Sequence, residues 1–296
     1  MKLRRFSGNP ILKPVKNNDW ESGAVFNCAA LFKGDTVHLL YRAIGEYDIY
    51  ISRLGHAFSS DGFNFQRRDN PVLVPEGDMD RFGCEDPRMT EIDGKVYITY
   101  TALSERAWSG SGNRVALAST SDFQTFERHG IILPDIENKN AVIFPEKVRG
   151  RYVIFHRILP DIYIAYSDNL KEWYGHRIVM KPREGFWDCK KIGAGGPPIK
   201  TDIGWLLFYH GVDENRIYRL GVALFDLDDP SQLISRQEEA ILEPAESWEL
   251  DGDVPNVVFT CGAIEKDGAY YVYYGGADTV IGVATVDKIQ ALNFAQ

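Results

Sequence analysis

The sequence predicts an all-β fold, a five-bladed β-propeller whose ring is closed by the N-terminal strand joining the last blade. Three observations carry this. Groups of four short β-rich runs recur five times, at a spacing of about 50–60 residues. Each group contains a hairpin turn bearing Gly or Asp between two runs heavy in aromatic and β-branched residues. The last group lacks a fourth run, and the N-terminus carries one to spare.

The first hairpin joins Ala29-Ala30-Leu31-Phe32 to Val37-His38-Leu39-Leu40-Tyr41 through Lys33-Gly34-Asp35. The second turns at Asp93-Gly94-Lys95, the third at Arg149-Gly150, the fourth at Asp202-Ile203-Gly204 and the fifth at Asp267-Gly268. A third run ends in a Ser/Asp turn, as in Ser59-Ser60-Asp61-Gly62, Ser121-Asp122 and Ser167-Asp168. A fourth run closes on Pro, as in Val72-Leu73-Val74-Pro75, Ile131-Ile132-Leu133-Pro134, Ile178-Val179-Met180-Lys181-Pro182 and Ala240-Ile241-Leu242-Glu243-Pro244. The N-terminal Pro10-Ile11-Leu12-Lys13-Pro14 has this form and is expected to complete the last sheet, removing an exposed edge. The competing architecture is a β-sandwich with long loops, which does not explain the repeat.

The chain has 296 residues, and one domain is expected over 1–296, because propellers of this size fold around a continuous core. Its net charge of -9 argues against a nucleic-acid surface. Cys28, Cys84, Cys189 and Cys261 are too scattered for a zinc site or a disulfide scaffold and read as small thiols. Ser7-Gly8-Asn9-Pro10 stands where a signal peptide needs an apolar stretch, and no run is long enough to cross a bilayer. A soluble, cytoplasmic protein without membrane or nucleic-acid partners is expected; homo-oligomerisation is left open.

Residues at one phase of each repeat converge on the central channel. That phase offers Asn27 and Arg42; Glu85, Asp86 and Arg88; Asn138, Lys139, Asn140, His156 and Arg157; Asp188, Lys190, Lys191 and His210; and Asp251, Asp253, Asn256 and Asp278. Cations thus gather around few carboxylates. Pro87 fixes the backbone after Asp86, which aims that carboxyl into the channel; alternatively Asp86 caps a turn. Strand alternation turns Glu85 away from Asp86, toward a neighbouring cation. Trp20, Trp108, Trp187 and Tyr47 are either stacking platforms for sugars or packing between blades, and only Trp108 sits in a loop suited to the channel mouth.

Gly83-Cys84-Glu85-Asp86-Pro87-Arg88, Asn140-Ala141-Val142-Ile143-Phe144-Pro145-Glu146-Lys147, Lys190-Lys191-Ile192-Gly193-Ala194-Gly195-Gly196-Pro197-Pro198-Ile199, Tyr209-His210-Gly211 and Gly275-Gly276-Ala277-Asp278 together resemble glycoside hydrolase family 130. The resemblance runs nearly the full chain, in order. It implies a β-mannoside phosphorylase, which cleaves β-1,2-mannobiose or short mannooligosaccharides with inorganic phosphate, with inversion, to α-D-mannose 1-phosphate, reversibly. It implies Asp86 as the catalytic acid, its proton passing through a hydroxyl of the mannosyl ring. By the same resemblance Lys139, Arg157, Lys191, His210 and Tyr218 bind phosphate, and Asn27, Arg42, Arg88 and Asp278 hold the mannosyl unit. No metal or organic cofactor is implied; phosphate is a co-substrate.

Three rivals remain. A β-1,4-mannooligosaccharide phosphorylase shares the motifs. An inverting hydrolase would need a second carboxylate to activate water, for which Asp188, Asp251 and Asp253 are candidates. A non-catalytic carbohydrate-binding propeller would leave the clustered cations without a purpose.

Overall fold

The computed structural model describes residues 1–295, and its strands form five antiparallel meanders. The first comprises Ala24–Lys33, Thr36–Ile44, Ser52–Ser59 and Gln66–Arg67; the second Gly83–Ile92, Lys95–Leu103, Asn113–Thr120 and Glu127–Leu133. The third comprises Lys139–Ile143, Tyr152–Ile158, Asp161–Ser167 and Tyr174–Met180. The fourth comprises Lys191–Ala194 and Ile199–Thr201, both paired with Gly204–Val212, then Tyr218–Phe225 and Leu233–Arg236. The fifth comprises Val258–Lys266, Ala269–Gly276 and Val280–Asp287, with Arg4–Arg5 added at its edge. A single parallel bridge, Ser52 to Gly83, joins the first and second meanders.

Local chemistry explains the hairpins. Asp93-Gly94, Arg149-Gly150 and Asp267-Gly268 hold both residues at positive φ, the turn whose twist matches that of the flanking strands. Each third strand ends in a side-chain-capped turn. Asp61, Asp122, Asn169, Asp226 and Asp287 each accept two backbone N–H groups from two and three residues on. In the third meander the acceptor is thus Asn169 and not the expected Asp168.

The N-terminal pairing differs from expectation. Arg4–Arg5 forms the added strand, and Leu12 makes only an isolated bridge with Ile281. The same division recurs where Gln66–Arg67 pairs and Leu73 bridges Leu54, and where Leu233–Arg236 pairs and Leu242 bridges Leu220. In these three units the run before Pro marks where the chain leaves the sheet edge, because Pro has no N–H to continue a ladder.

Every major apolar cluster is shared by two meanders. Leu40 and Leu54 pack with Met89 and Ile98; Val115 and Leu117 with Ile143 and Ile154; Phe144 and Phe155 with Trp205 and Phe225. Leu206 and Phe208 pack with Val272 and Tyr274, and Ile264 and Tyr273 pack back against Val25 and Tyr41 of the first unit.

Buried polar trios pin the sheets. Glu21, Asp80, Asp188 and Glu249 are at most 1% exposed. They accept respectively from Tyr41 and Arg67, Tyr100 and Arg128, Tyr209 and Arg236, and Tyr274 and Arg5. In every trio the Tyr lies on the second strand and the Arg on the fourth, so the carboxylate spans the sheet. Removing one partner of such a pair strands a buried charge. Arg5→Ala should therefore lower the unfolding free energy by about 3 kcal/mol, whereas Lys95→Ala, which breaks the more exposed pair with Glu127, should cost under about 1 kcal/mol. Urea denaturation of both variants checks the contrast, and equal losses would contradict it.

Candidate active site

Three first strands break their ladders at the same station. Asn27, Asp86 and Asn140 adopt φ of 46°, 47° and 54°, each at a register shift. Asn and Asp tolerate this left-handed geometry better than most residues, and it redirects the three side chains toward one another. Asn27 Nδ2 donates to Asp86 Oδ1 at 2.9 Å. Arg88 Nη2 donates to Asn140 Oδ1 at 2.9 Å, and Asn140 Nδ2 lies 3.1 Å from His210 Nε2.

The bulge also overturns the expected alternation at Glu85. Glu85 and Asp86 share the buried guanidinium of Arg42, at 2.5 and 3.4 Å, and Glu85 also meets Lys139 at 3.4 Å. Glu85 is thus the expected partner of cations, on the face the extended-strand argument denied it.

The carboxylates are driven apart electrically. Burial alone would push Asp86 up, but the charges of Arg42, Arg88 and Lys139 and the Asn27 hydrogen bond outweigh it and hold Asp86 below the usual carboxylate range. Asp278 goes the other way. Burial, with Asp86, Asp253 and Glu85 as like-charged neighbours, outweighs Arg42 and pushes Asp278 up to about 7. Ala277 and Asp278 are consecutive left-handed residues, at φ of 43° and 50°, on the turn that presents this carboxyl.

On the cationic side, among the described residues Arg157 and Lys191 have no carboxylate partner, and Arg157 Nε is buried without a hydrogen bond. Burial pushes Arg157 down to about 10, with Arg88 adding to the effect. Burial, Arg157 and Lys139 push Lys191 down to about 8, and its ammonium lies 5.1 Å from the Tyr218 ring centre.

His210 needs correction as a cation. Burial and the charges of Arg157, Arg88 and Lys191 push it well below its usual value, so it is neutral. A guanidinium only donates, so Asn140 Oδ1 is the acceptor and Nδ2 the donor to His210 Nε2. The His210 proton therefore sits on Nδ1, which is buried without a partner.

Other candidates go elsewhere. Arg88 spends its donors on the scaffold, on the carbonyls of Asp86, Ala194 and Gly195 besides Asn140, so it organises the site and leaves one N–H for a sugar. Asp188 is locked in its trio with Arg183 added, and Asp251 is exposed. Trp20 and Trp187, half-buried ahead of their first strands, stack on Tyr41 and Tyr209 and serve packing, the second of the two roles expected of them. Tyr47 donates to the Gly23 carbonyl. Trp108 is 73% exposed and borders a cavity of about 290 Å³ that reaches Arg42, Glu85 and Lys139.

Sequence reasoning missed two aromatics. Tyr50 lies 5.7 Å from Arg42 and donates to Asp253, and the Phe259 ring centre is 4.1 Å from that of His210. Neither carries a sequence signal beyond proximity to a motif.

Fold and site together are those of a carbohydrate-active enzyme. The chain belongs to glycoside hydrolase family 130, whose model, described as beta-1,4-mannooligosaccharide phosphorylase, matches residues 2–296. It is 50% identical to a 1,2-beta-oligomannan phosphorylase of Thermoanaerobacter sp. (strain X514), over 97% of this chain and 98% of that one. It is also 50% identical to a beta-1,2-mannobiose phosphorylase of the same strain, with the same coverage. The solved beta-1,2-mannobiose phosphorylase of Listeria innocua, in complex with beta-1,2-mannobiose, superposes with a TM-score of 0.90 at 29% identity, covering 100% of this chain and 99% of that one.

The tautomer of His210 is directly measurable. Imidazole ¹⁵N–¹H correlation spectra should show a neutral ring protonated on Nδ1 and no titration of His210 between about pH 5 and 8, the window of an ordinary histidine. A ring that titrates there would contradict the assignment.

Proposed function

We propose that the chain is an inverting glycoside phosphorylase that cleaves β-1,2-mannobiose or short β-1,2-oligomannans with inorganic phosphate, giving α-D-mannose 1-phosphate reversibly. The observation that carries this is the pair of unpartnered cations, Arg157 and Lys191, near the buried Asp86. A dianion would supply the missing charge and accept from Arg157, Lys191 and the His210 Nδ1–H, with Lys139 and Tyr218 beside them. The β-1,2 linkage is favoured over β-1,4 by the two relatives at 50% identity. Hydrolysis would need a second carboxylate as base, and Asp188 is not free to serve.

In this reading a phosphate oxygen attacks the anomeric carbon from the face opposite the leaving sugar. The bond to the glycosidic oxygen breaks, and that oxygen takes a proton originating on Asp86 through a mannosyl hydroxyl. Asn27, Arg42 and Asp278 hold the mannosyl ring, Asp278 being able to donate near neutral pH. Neither metal nor organic cofactor enters.

Asp86 must be protonated to act, yet the surrounding cations favour its anion. Phosphate offsets those cations, so binding it raises the Asp86 pKa and protonates the acid when the nucleophile is in place.

We also read the five meanders as blades of a closed propeller forming one catalytic domain over 1–296. The apolar cluster shared by the fifth and first meanders and the pairing of Arg4–Arg5 with Thr285 and Ala284 support closure. A cytoplasmic location fits four unbridged cysteines, three of them buried. Among the described residues no helix is long and apolar enough to cross a membrane.

Asp86→Asn should reduce phosphorolysis by roughly 10²–10⁴-fold with the fold intact, measured as mannose 1-phosphate release. Activity within tenfold of the parent would remove Asp86 from the role. Arg157→Ala should raise the phosphate KM by about 10- to 100-fold and the mannoside KM far less.

Two pH effects follow from the charges. Lys191 loses its proton above about 8 in the free enzyme, so the phosphate KM should climb as pH rises through that value. Because phosphate raises the Asp86 pKa, the loss of activity on the alkaline side should move to higher pH at saturating phosphate than at low phosphate. Profiles that superimpose at the two concentrations would argue against the linkage.

A further inference from the structure

Four meanders pin the second strand with a Tyr–carboxylate–Arg trio, and the residue following each Tyr is Arg42, Thr101, His210 or Gly275. Three of these adjoin or belong to the site. The third meander has no such trio, and other residues occupy its stations. His156 stands on the second strand where the others have Tyr, and it precedes Arg157. His176 stands on the fourth strand where the others have Arg. Asn138 precedes the first strand, on the side from which the carboxylates come.

These residues are linked end to end. Asn138 Nδ2 lies 2.9 Å from His156 Nδ1, His156 Nε2 lies 3.0 Å from His176 Nδ1, and His176 Nε2 lies 3.1 Å from the Trp173 carbonyl. Asn138 and His156 are 2% and 1% exposed.

The carbonyl at the end can only accept, so His176 carries a hydrogen on Nε2, and with a neutral His176 the remaining protons follow. His176 then accepts on Nδ1. His156 therefore donates from Nε2 and accepts on Nδ1 from the Asn138 amide. Burial, with His176 beside it, holds His156 neutral. Unlike the other four, this brace adds no carboxylate beside Lys139 and Arg157.

Its position matters for the ladder it crosses. Lys139 and Arg157 are register partners at the end of the first and second strands. The next pair is Val142 with Phe155, because the left-handed Asn140 interrupts the pairing. The contact from Asn138 to His156 ties the two strands across this gap, one residue before each of the two cations.

We propose that Asn138, His156 and His176 form a brace that sets the spacing of Lys139 and Arg157, and so act as positioning residues for phosphate. The proposal rests on the reading of these cations as phosphate ligands.

Steady-state kinetics of β-1,2-mannobiose phosphorolysis test it, with the phosphate and mannoside KM measured separately. His156→Leu should raise the phosphate KM about tenfold and leave the mannoside KM within about twofold, the scale of one lost hydrogen bond at a charged site. His156→Gln, whose amide can both accept from Asn138 and donate to His176, should recover most of the loss. A parallel rise of both KM values in His156→Leu, or no recovery in His156→Gln, would overturn the brace.

If His156→Leu does not fold, His176→Phe decides, since that side chain lies on an exposed strand. A raised phosphate KM in this variant supports the brace, and an unchanged one overturns it. Arg157→Ala in the same assay separates the two ideas. A parent enzyme indifferent to phosphate defeats the functional reading and the brace with it. A phosphate-dependent parent, with Arg157→Ala impaired and His156→Leu normal, defeats the brace alone.

Discussion

A buried carboxylate shared by a tyrosine hydroxyl and an arginine is the contact on which the rest of this protein hangs. Taking a carboxylate and a guanidinium out of water costs several kcal/mol per ion, and only full hydrogen bonding in good geometry offsets it. That condition makes the trio exacting. Glu249 is satisfied only when the segment before the first strand, the second strand and the added N-terminal strand all stand in register. Glu21, Asp80 and Asp188 impose the same demand on their own sheets. Rigid second strands follow in those four sheets, and two of them carry Arg42 and His210.

The centre is built on the opposite principle. Arg42 is shared by two carboxylates while a third, Asp278, is left to neutralise itself by holding a proton. Across the site Arg157 and Lys191 are charged, crowded and unpaired, and both are pushed toward losing their protons. By itself such an arrangement is destabilising, and the well-paired sheets around it supply the stability it lacks. An anion of matching charge would relieve it. The two carboxylates whose environments pull their pKa values apart, Asp86 downward and Asp278 upward, are the pattern by which a site assigns different proton roles to like groups.

Much of the fold was legible because its signals are local. Asp-Gly and Asx turns work through hydrogen bonds two or three residues long, so the fivefold repeat shows in the chain itself. Part of the trio pattern also stands there, in Trp20-Glu21, Trp187-Asp188 and Trp248-Glu249, but the second meander has Met79-Asp80 and the third has neither. Three arginine partners lie 46 to 48 residues away on fourth strands and Arg5 lies 244 away, where nothing in the sequence ties them to these acids. Strand alternation misplaced Glu85 because a left-handed residue at Asp86 resets the phase, and no local rule places such a residue just before a proline.

By itself, then, the sequence determined the repeating sheet, its turns and the kinds of residue that meet at the centre, since each follows from short-range geometry and motif. Tertiary structure alone decided their states. His210 is neutral because it is buried among cations, and it is protonated on Nδ1 because Arg88, from another meander, orients Asn140 against it. Arg88 serves the scaffold because three backbone carbonyls converge on it. Asp86 and Asp278 differ in proton affinity because burial and the nearest charges differ, and those neighbours come from strands far apart in the chain. Charge state depends on distances in space through a low-dielectric interior, and those distances exist only once the sheets have packed against one another.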